Sequence, residues 1–201
     1  MKILVLVCVG LLLSSSVAFS GDRFTKLFSE CFFKCYRSNV CHANTLHFLL
    51  KARQQGIDVS PAAYWDLTPF SGGHFYMINV YENARGAGEP REPPYDWIPL
   101  ENWYNHGIIV FKPEVGEEMV FDFDYKDQPT PVPLSQYIRD MFYRRKNDQI
   151  LKVRVHRAER LLGELGTTDP EQAYVLETWT NVGKPDQVLL LGEDKITSFK
   201  D

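Results

Sequence analysis

The sequence predicts an α+β fold in which helices come first and a mainly antiparallel sheet follows. Apolar residues recur at helical spacing over Asp22–Tyr36 and again over Cys41–Gly56, where the closing glycine is the residue type that favours a helix end. Further on, Gly107–Phe111 and Met119–Asp124 are rich in β-forming residues, and a short glycine-containing segment joins them. This second pattern predicts an antiparallel hairpin.

The remaining segments continue this order of elements. Ile57–Leu67 is compatible with either a short helix or a strand. The other predicted elements are a strand at His74–Tyr81, a long surface loop at Asn83–Pro99, an amphipathic helix at Leu134–Arg145, a half-buried strand at Ile150–His156, a helix start at Asp169 and a last strand at Val188–Leu191.

The first twenty residues have the layout of a secretory signal peptide. A lysine precedes an apolar run, and the small residues Ala18 and Ser20 follow it at positions that signal peptidase recognises. We expect cleavage after Ser20 and export to the periplasm or the medium. Residues 21–201 are then long enough for a single domain with a substantial core.

Charge and hydropathy narrow the range of partners. The net charge is −4 with the two signs interspersed, so nothing predicts binding to nucleic acid or to an anionic membrane surface. The chain after residue 20 has no apolar stretch near the ~20 residues that a membrane-spanning helix needs. We therefore expect neither of these partners, and we expect a monomer.

Cys41 stands at the predicted start of the second helix. Free backbone N–H groups and the positive end of the helix dipole favour a thiolate there, and a thiolate is the form of cysteine that attacks carbonyl carbon. A buried or disulfide-bonded cysteine is the alternative interpretation of the same residue.

The number of cysteines leaves their pairing open. With Cys8 inside the predicted signal peptide, Cys31, Cys35 and Cys41 remain, an odd number in an oxidising compartment. We expect Cys31 and Cys35 to bond to each other, or one of them to pair elsewhere, and Cys41 to stay free. Their spacing fits no ordinary zinc motif, so we expect no metal site and no cofactor.

The predicted hairpin brings a histidine and an acid to the same end. His106 immediately precedes the first strand, and Asp122 lies near the end of the second. The two ends of an antiparallel hairpin are neighbours, so these side chains can meet. Asp124 is a rival acid because residues two apart in a strand share a face.

Cysteine, histidine and aspartate occur here in the chain order of papain-like hydrolases. The local sequences around them, Cys41-x-Ala43, Trp103-Tyr104-Asn105-His106 and Val120-Phe121-Asp122, resemble those of the bacterial protein-glutaminase (protein deamidase) family. The resemblance covers roughly residues 39–134.

The resemblance implies a fold, an activity and a set of roles. Members of this family are exported cysteine hydrolases with a papain-like, transglutaminase-related core. By analogy, Cys41 is the nucleophile, His106 is the base and acid, and Asp122 orients the imidazole. The expected reaction is deamidation of glutamine side chains in proteins or peptides through a thioester acyl-enzyme.

Two further residues are candidates for substrate binding. Asn39 could add an amide to an oxyanion hole beside the Cys41 N–H, and Trp103 could line the entrance. A papain-like peptidase or a transglutaminase-like acyltransferase would share the acyl-enzyme. A non-catalytic, disulfide-stapled secreted binding module, with Cys41 oxidised, is the alternative from another class.

Overall fold

The computed structural model describes residues 21–37, 40–69, 105–125, 128–142, 150–175, 183–192 and 195–199. Several predicted features lie outside these residues: the signal peptide, the strand at residues 74–81, the loop at residues 83–99, and the candidate binding residues Asn39 and Trp103. Among the described helices, none combines the length and the apolar character needed to cross a membrane.

The helices begin with α1 at residues 21–34, as the helical spacing predicts. It is followed by α2 (Cys41–Gln54), α3 (Leu134–Phe142), α4 (Ala158–Glu164) and a short 3₁₀ helix at Pro170–Tyr174. Helix α2 ends next to Gly56, whose positive φ of 65° is readily accessible only to glycine.

The strands form one antiparallel sheet of seven strands in the order β4-β3-β2-β1-β5-β6-β7. Their bounds are β1 (Ala62–Pro69), β2 (His106–Phe111), β3 (Met119–Phe121), β4 (Val132–Pro133), β5 (Leu151–Arg157), β6 (Gln187–Gly192) and β7 (Lys195–Phe199). The predicted hairpin is confirmed, because β2 and β3 pair with Val110 opposite Val120. The α+β class is confirmed with it.

The structure also settles the segment that the sequence left open. Residues 62–69 form β1, the central strand, which pairs with β2 on one side and β5 on the other. Both neighbours come later in the chain, so no local pattern could identify this strand as the middle of the sheet. Helix α4 and strands β4 and β7 are additions that the sequence did not predict.

Helices cover both faces of the sheet. On one face, α1, α2 and α4 bury an aromatic core in which Phe24 and Phe28 of α1 contact Phe121 of β3 at ring-centroid distances of 5.1 and 5.2 Å. On the other face, α3 buries Tyr137 and Ile138 against the opposite side chains of the strands. The alternation along β2 shows this division, because Ile109 belongs to the first core and Ile108 to the second.

Candidate active site

The N-terminal turn of α2 lies directly against the start of β2. Gly107 makes this approach possible: a Cβ atom at this position would lie 2.8 Å from His42 Nδ1 and 3.1 Å from His42 Cα. The Thr45 hydroxyl donates a hydrogen bond of 3.0 Å to the carbonyl oxygen of Gly107. The missing side chain and this hydrogen bond together bring Cys41, the first residue of α2, to the neighbourhood of His106.

His106 and Asp122 form a buried pair at the paired ends of β2 and β3. His106 is fully buried and Asp122 is 6% exposed. His106 Nε2 lies 2.9 Å from Asp122 Oδ2. A carboxylate only accepts hydrogen bonds, so Nε2 carries the proton and the ring orientation is fixed. The predicted contact between these side chains is therefore present.

The Cys41 thiol is near enough to the same imidazole for its charge to act on the ring. Since Asp122 occupies Nε2, Nδ1 is the ring nitrogen left for the thiol. Burial alone would lower the pKa of His106, but the charges of Asp122 and Cys41 and the hydrogen bond to Asp122 raise this pKa well above its usual value. The imidazolium form is therefore stabilised between the thiol and the carboxylate.

Asp122 is held by two donors besides the imidazole. The Tyr137 hydroxyl of α3 donates to Oδ2 at 2.8 Å, and the backbone N–H of Asp124 donates to Oδ1 at 2.9 Å. Tyr137 is fully buried, and burial and then the charge of Asp122 raise its pKa well above the usual value, so the phenol stays a donor. The sequence carried no signal for Tyr137, because only the packing of α3 on the sheet brings it to the acid.

Asp124 has a different partner. Its Oδ1 accepts a hydrogen bond of 2.6 Å from the Tyr36 hydroxyl. Burial raises the pKa of Asp124 to about 6, against the lowering effects of His106 and of the Tyr36 hydrogen bond. Asp122 is therefore the acid in hydrogen-bond contact with the imidazole, and Asp124 is a buried carboxyl beside the pair.

His106, Asp122 and Asp124 are also residue types that bind metals, and their donor atoms lie within 4.8 Å of one another. In the structure, however, Asp122 Oδ2 already accepts from two side chains and Oδ1 from a backbone N–H. The acceptor capacity of this carboxylate thus serves hydrogen bonds, an arrangement that suits acid–base chemistry.

A second polar group lies under the first turn of α2. His42 Nδ1 forms a hydrogen bond with the hydroxyl of Tyr64 in β1. Two residues further along β1, Asp66 forms a 2.5 Å ion pair with Arg154 of β5. Burial lowers the pKa of His42, so this imidazole is neutral and bound to the sheet. It is engaged in positioning α2.

The first turn of α2 has the features of an anion-binding helix end. Val40 precedes the helix and no side chain caps the end, and the turn contains no acidic residue. The N–H groups of this turn and the helix dipole therefore favour a negative charge at Cys41 or on an oxygen beside it. Asn39, expected to contribute to such a site, and Trp103 lie outside the described residues.

All three described cysteines are free thiols. The predicted bond between Cys31 and Cys35 is not formed, although their side chains are hydrogen-bonding neighbours one turn apart. Cys41 is half-buried. It is therefore accessible to a substrate from the solvent side.

The chain matches no family profile, and it has no significant similarity to any curated protein.

Proposed function

We propose that this protein is a cysteine amidohydrolase in which Cys41, His106 and Asp122 act as nucleophile, acid–base and orienting carboxylate. One observation carries the proposal: the charge of a half-buried thiol at an uncapped helix N-terminus acts on a fully buried imidazole, and Nε2 of that imidazole lies 2.9 Å from a buried carboxylate. Nucleophilic cysteine catalysis needs each of these groups in this relation.

The first half of the reaction follows from these positions. The Cys41 thiolate attacks the carbon of a carboxamide, and negative charge develops on the amide oxygen. The N–H groups at the start of α2 are placed to stabilise that charge. The His106 imidazolium then gives its proton to the leaving nitrogen, so that ammonia departs and a thioester on Cys41 remains.

The second half returns the groups to their starting state. Neutral His106 takes a proton from water, and the hydroxide attacks the thioester carbon. The carboxylic acid product leaves, and Cys41 is again a thiolate beside an imidazolium. Asp122 stays ionised throughout and holds the imidazole in one tautomer and one orientation, with Tyr137 holding Asp122.

The substrate that we propose is the side-chain amide of glutamine in a protein or peptide. This choice rests on the resemblance of the segments around Cys41, His106 and Asp122 to bacterial protein glutaminases. We further propose that the core is papain-like: a helix with cysteine at its N-terminus packs on an antiparallel sheet whose adjacent strands provide the histidine and the acid. Export through residues 1–20 belongs to the same proposal.

A peptidase or an acyltransferase would use the same acyl-enzyme and differ in leaving group or acceptor. The discriminating experiment incubates the purified protein with a glutamine-rich protein and measures ammonia alongside the mass of the intact substrate. We expect ammonia release and the mass increment of amide-to-acid conversion without chain cleavage. Shorter fragments would indicate a peptidase, and cross-linked products would indicate acyl transfer.

A disulfide-stapled binding module requires an oxidised Cys41. The free Cys41 thiol supports the enzyme over this alternative. Thiol labelling of the protein secreted by its cells, with the modified residue mapped, tests the difference. Cys41 protected in a disulfide, with no amidase activity after reduction, would favour the binding module.

A further inference from the structure

A second group of reactive side chains lies at the contact between α1 and α2. Cys31 is in the last turn of α1, Cys35 directly follows that helix, and His47 is in the middle of α2. Each offers one donor atom, two sulfurs and a ring nitrogen, and the three atoms lie within 4.8 Å of one another. None of the three belongs to the proposed catalytic triad.

His47 has the hydrogen-bond pattern that is usual for metal-binding histidines. It is 3% exposed, and its Nε2 lies 3.1 Å from Oε1 of Glu171. Its Nδ1 is buried and has no hydrogen-bond partner among the described residues. Donation of Nε2–H to Glu171 leaves a lone pair on Nδ1, and a carboxylate behind the distal ring nitrogen is the usual support of a metal-bound imidazole.

The two sulfurs differ in exposure and complete the group. Cys31 is fully buried, whereas Cys35 is half-buried and gives access from the solvent. The Lys51 ammonium donates a hydrogen bond to Cys35 Sγ at 3.3 Å. Two thiolate charges match a divalent cation, and the second carboxylate oxygen of Glu171 pairs with Arg37 at 2.9 Å.

We propose that Cys31, Cys35 and His47 form a binding site for a soft, thiophilic cation of the Zn²⁺ type, with Glu171 positioning His47. Two thiolates and an imidazole are ligands that such ions prefer. Three protein ligands leave one tetrahedral position for water at the exposed side of Cys35. The spacing of the three cysteines does not indicate this site, because Cys41 is not one of its ligands. The third ligand is instead a histidine from the next helix.

The test uses the reduced full chain carrying Cys41→Ser, so that the proposed nucleophile cannot bind the metal. Co²⁺ is titrated as a spectroscopic probe and then displaced with Zn²⁺. We expect one equivalent of Co²⁺ to give thiolate-to-metal charge-transfer bands in the near ultraviolet, and one equivalent of Zn²⁺ to remove them. The readout needs no amidase activity, so its outcome is independent of the proposed function.

Variants identify the ligands. Cys35→Ser and His47→Gln should abolish the one-equivalent spectrum, while circular dichroism verifies that each variant is folded. Glu171→Gln should weaken Zn²⁺ binding by about 10–100-fold, the usual effect of removing the carboxylate behind a ligating histidine. The matched control is Glu114→Gln, at an exposed position in the turn after β2, which should leave Zn²⁺ binding unchanged.

Three results would overturn the proposal. They are the absence of charge-transfer bands, their survival in Cys35→Ser or His47→Gln, and a Cys31–Cys35 disulfide in the protein recovered from the exporting cells. Equal Zn²⁺ affinity in the Glu171 and Glu114 variants would overturn the role given to Glu171.

Discussion

A fully buried imidazole carries a positive charge only where opposite charges surround it, because burial removes the water that would otherwise solvate the ion. His106 has such surroundings, with Asp122 at one ring nitrogen and the charge of Cys41 also acting on the ring. The positive charge of His106 therefore depends on the negative charge of Asp122, and the buried Asp122 carboxylate depends on His106 in the same way. Removing either His106 or Asp122 is expected to affect catalysis more than the size of the side chain suggests.

His106→Gln should reduce amidase turnover by roughly 10²–10⁴-fold, the usual contribution of a positioned acid–base group. Glutamine keeps polar atoms in the space but cannot exchange a proton near neutral pH. The matched control is His156→Gln, another buried histidine, which lies on β5. The measurement compares the steady-state rates of the two variants, each divided by the concentration of folded protein. Equal losses in both would mean that His106 is needed only for folding.

Asp122→Asn should lower turnover by up to about 10⁴-fold, the effect of the same change in serine proteases. An amide at this position presents a donor as well as an acceptor, so His106 is no longer held in a single tautomer. Asp124→Asn should have a smaller effect, because Asp124 accepts its hydrogen bond from Tyr36. A larger loss of turnover in Asp124→Asn than in Asp122→Asn would reverse the assignment of the orienting acid.

Asp124 should also make stability depend on pH. Its pKa rises from the ordinary 3.8 to about 6 on folding, so the folded state binds this proton more tightly than the unfolded chain does. The stability provided by the protonated form is complete below the unfolded pKa and is lost as pH rises through the folded pKa.

The variant Asp124→Asn removes this titration. The free energy of unfolding of the variant should exceed that of the wild type by more at neutral pH than at acidic pH. We expect this difference to change by on the order of 1–3 kcal/mol over the pH window between the unfolded and the folded pKa of Asp124. Urea unfolding of both proteins below and above the window is the measurement. A difference between the two proteins that does not change with pH would contradict the assignment.

At the scale of secondary-structure elements, the site depends on the close packing of the α2 N-terminus against β2. A helix N-terminus reaches a sheet this closely only where a strand residue has no side chain, and Gly107 provides that gap directly after His106. Nothing else in β2 has to be unusual, since its remaining side chains alternate between the two cores. The sequence His106–Gly107 thus combines the proposed acid–base group with the space for the helix that carries the proposed nucleophile.

Gly107→Ala should destabilise the protein by about 1–3 kcal/mol, the usual cost of overpacking, and should lower turnover in the molecules that remain folded. Its Cβ would meet the backbone of His42, so α2 must shift away from β2 and move Cys41 relative to His106. Chemical denaturation and turnover measure both effects.

The matched control is Gly163→Ala in α4, where a Cβ meets no atom within 4 Å. Alanine there should raise stability by roughly 0.5–1 kcal/mol and leave turnover unchanged, since alanine is the better helix former. The account of Gly107 is wrong if the Gly107 variant behaves like this control.

Sequence patterns predicted the elements whose signal is local. The period of α2 and the β2–β3 hairpin, with its short turn, follow from neighbouring residues alone. Helix α4 was missed because it is short and directly continues β5, leaving no boundary between the two patterns. The central strand β1 stayed undecided because a short apolar run has the same composition in a helix as in a strand.

At the scale of the whole molecule, pairing between distant segments builds the site. Strand β1 separates β2 from β5, and α3 packs on the face of the sheet opposite α2. The proposed triad could be predicted because local motifs and chain order mark its three members. The contact of Tyr137 with Asp122 and the contact of Tyr36 with Asp124 could not be predicted from the sequence. Each depends on which helix covers which end of the sheet.

The central claim is that the Cys41 thiolate forms the acyl-enzyme, and one measurement tests it most directly. The reaction with a glutamine peptide is quenched in acid, the adduct is mapped by mass spectrometry, and ammonia release is followed in the wild type and in Cys41→Ser. We predict a thioester on Cys41 in the wild type, and no ammonia release from a Cys41→Ser protein whose thermal stability is unchanged, because a serine hydroxyl does not ionise near neutral pH. An adduct on another residue, turnover in Cys41→Ser, or loss of turnover only through unfolding would contradict the claim.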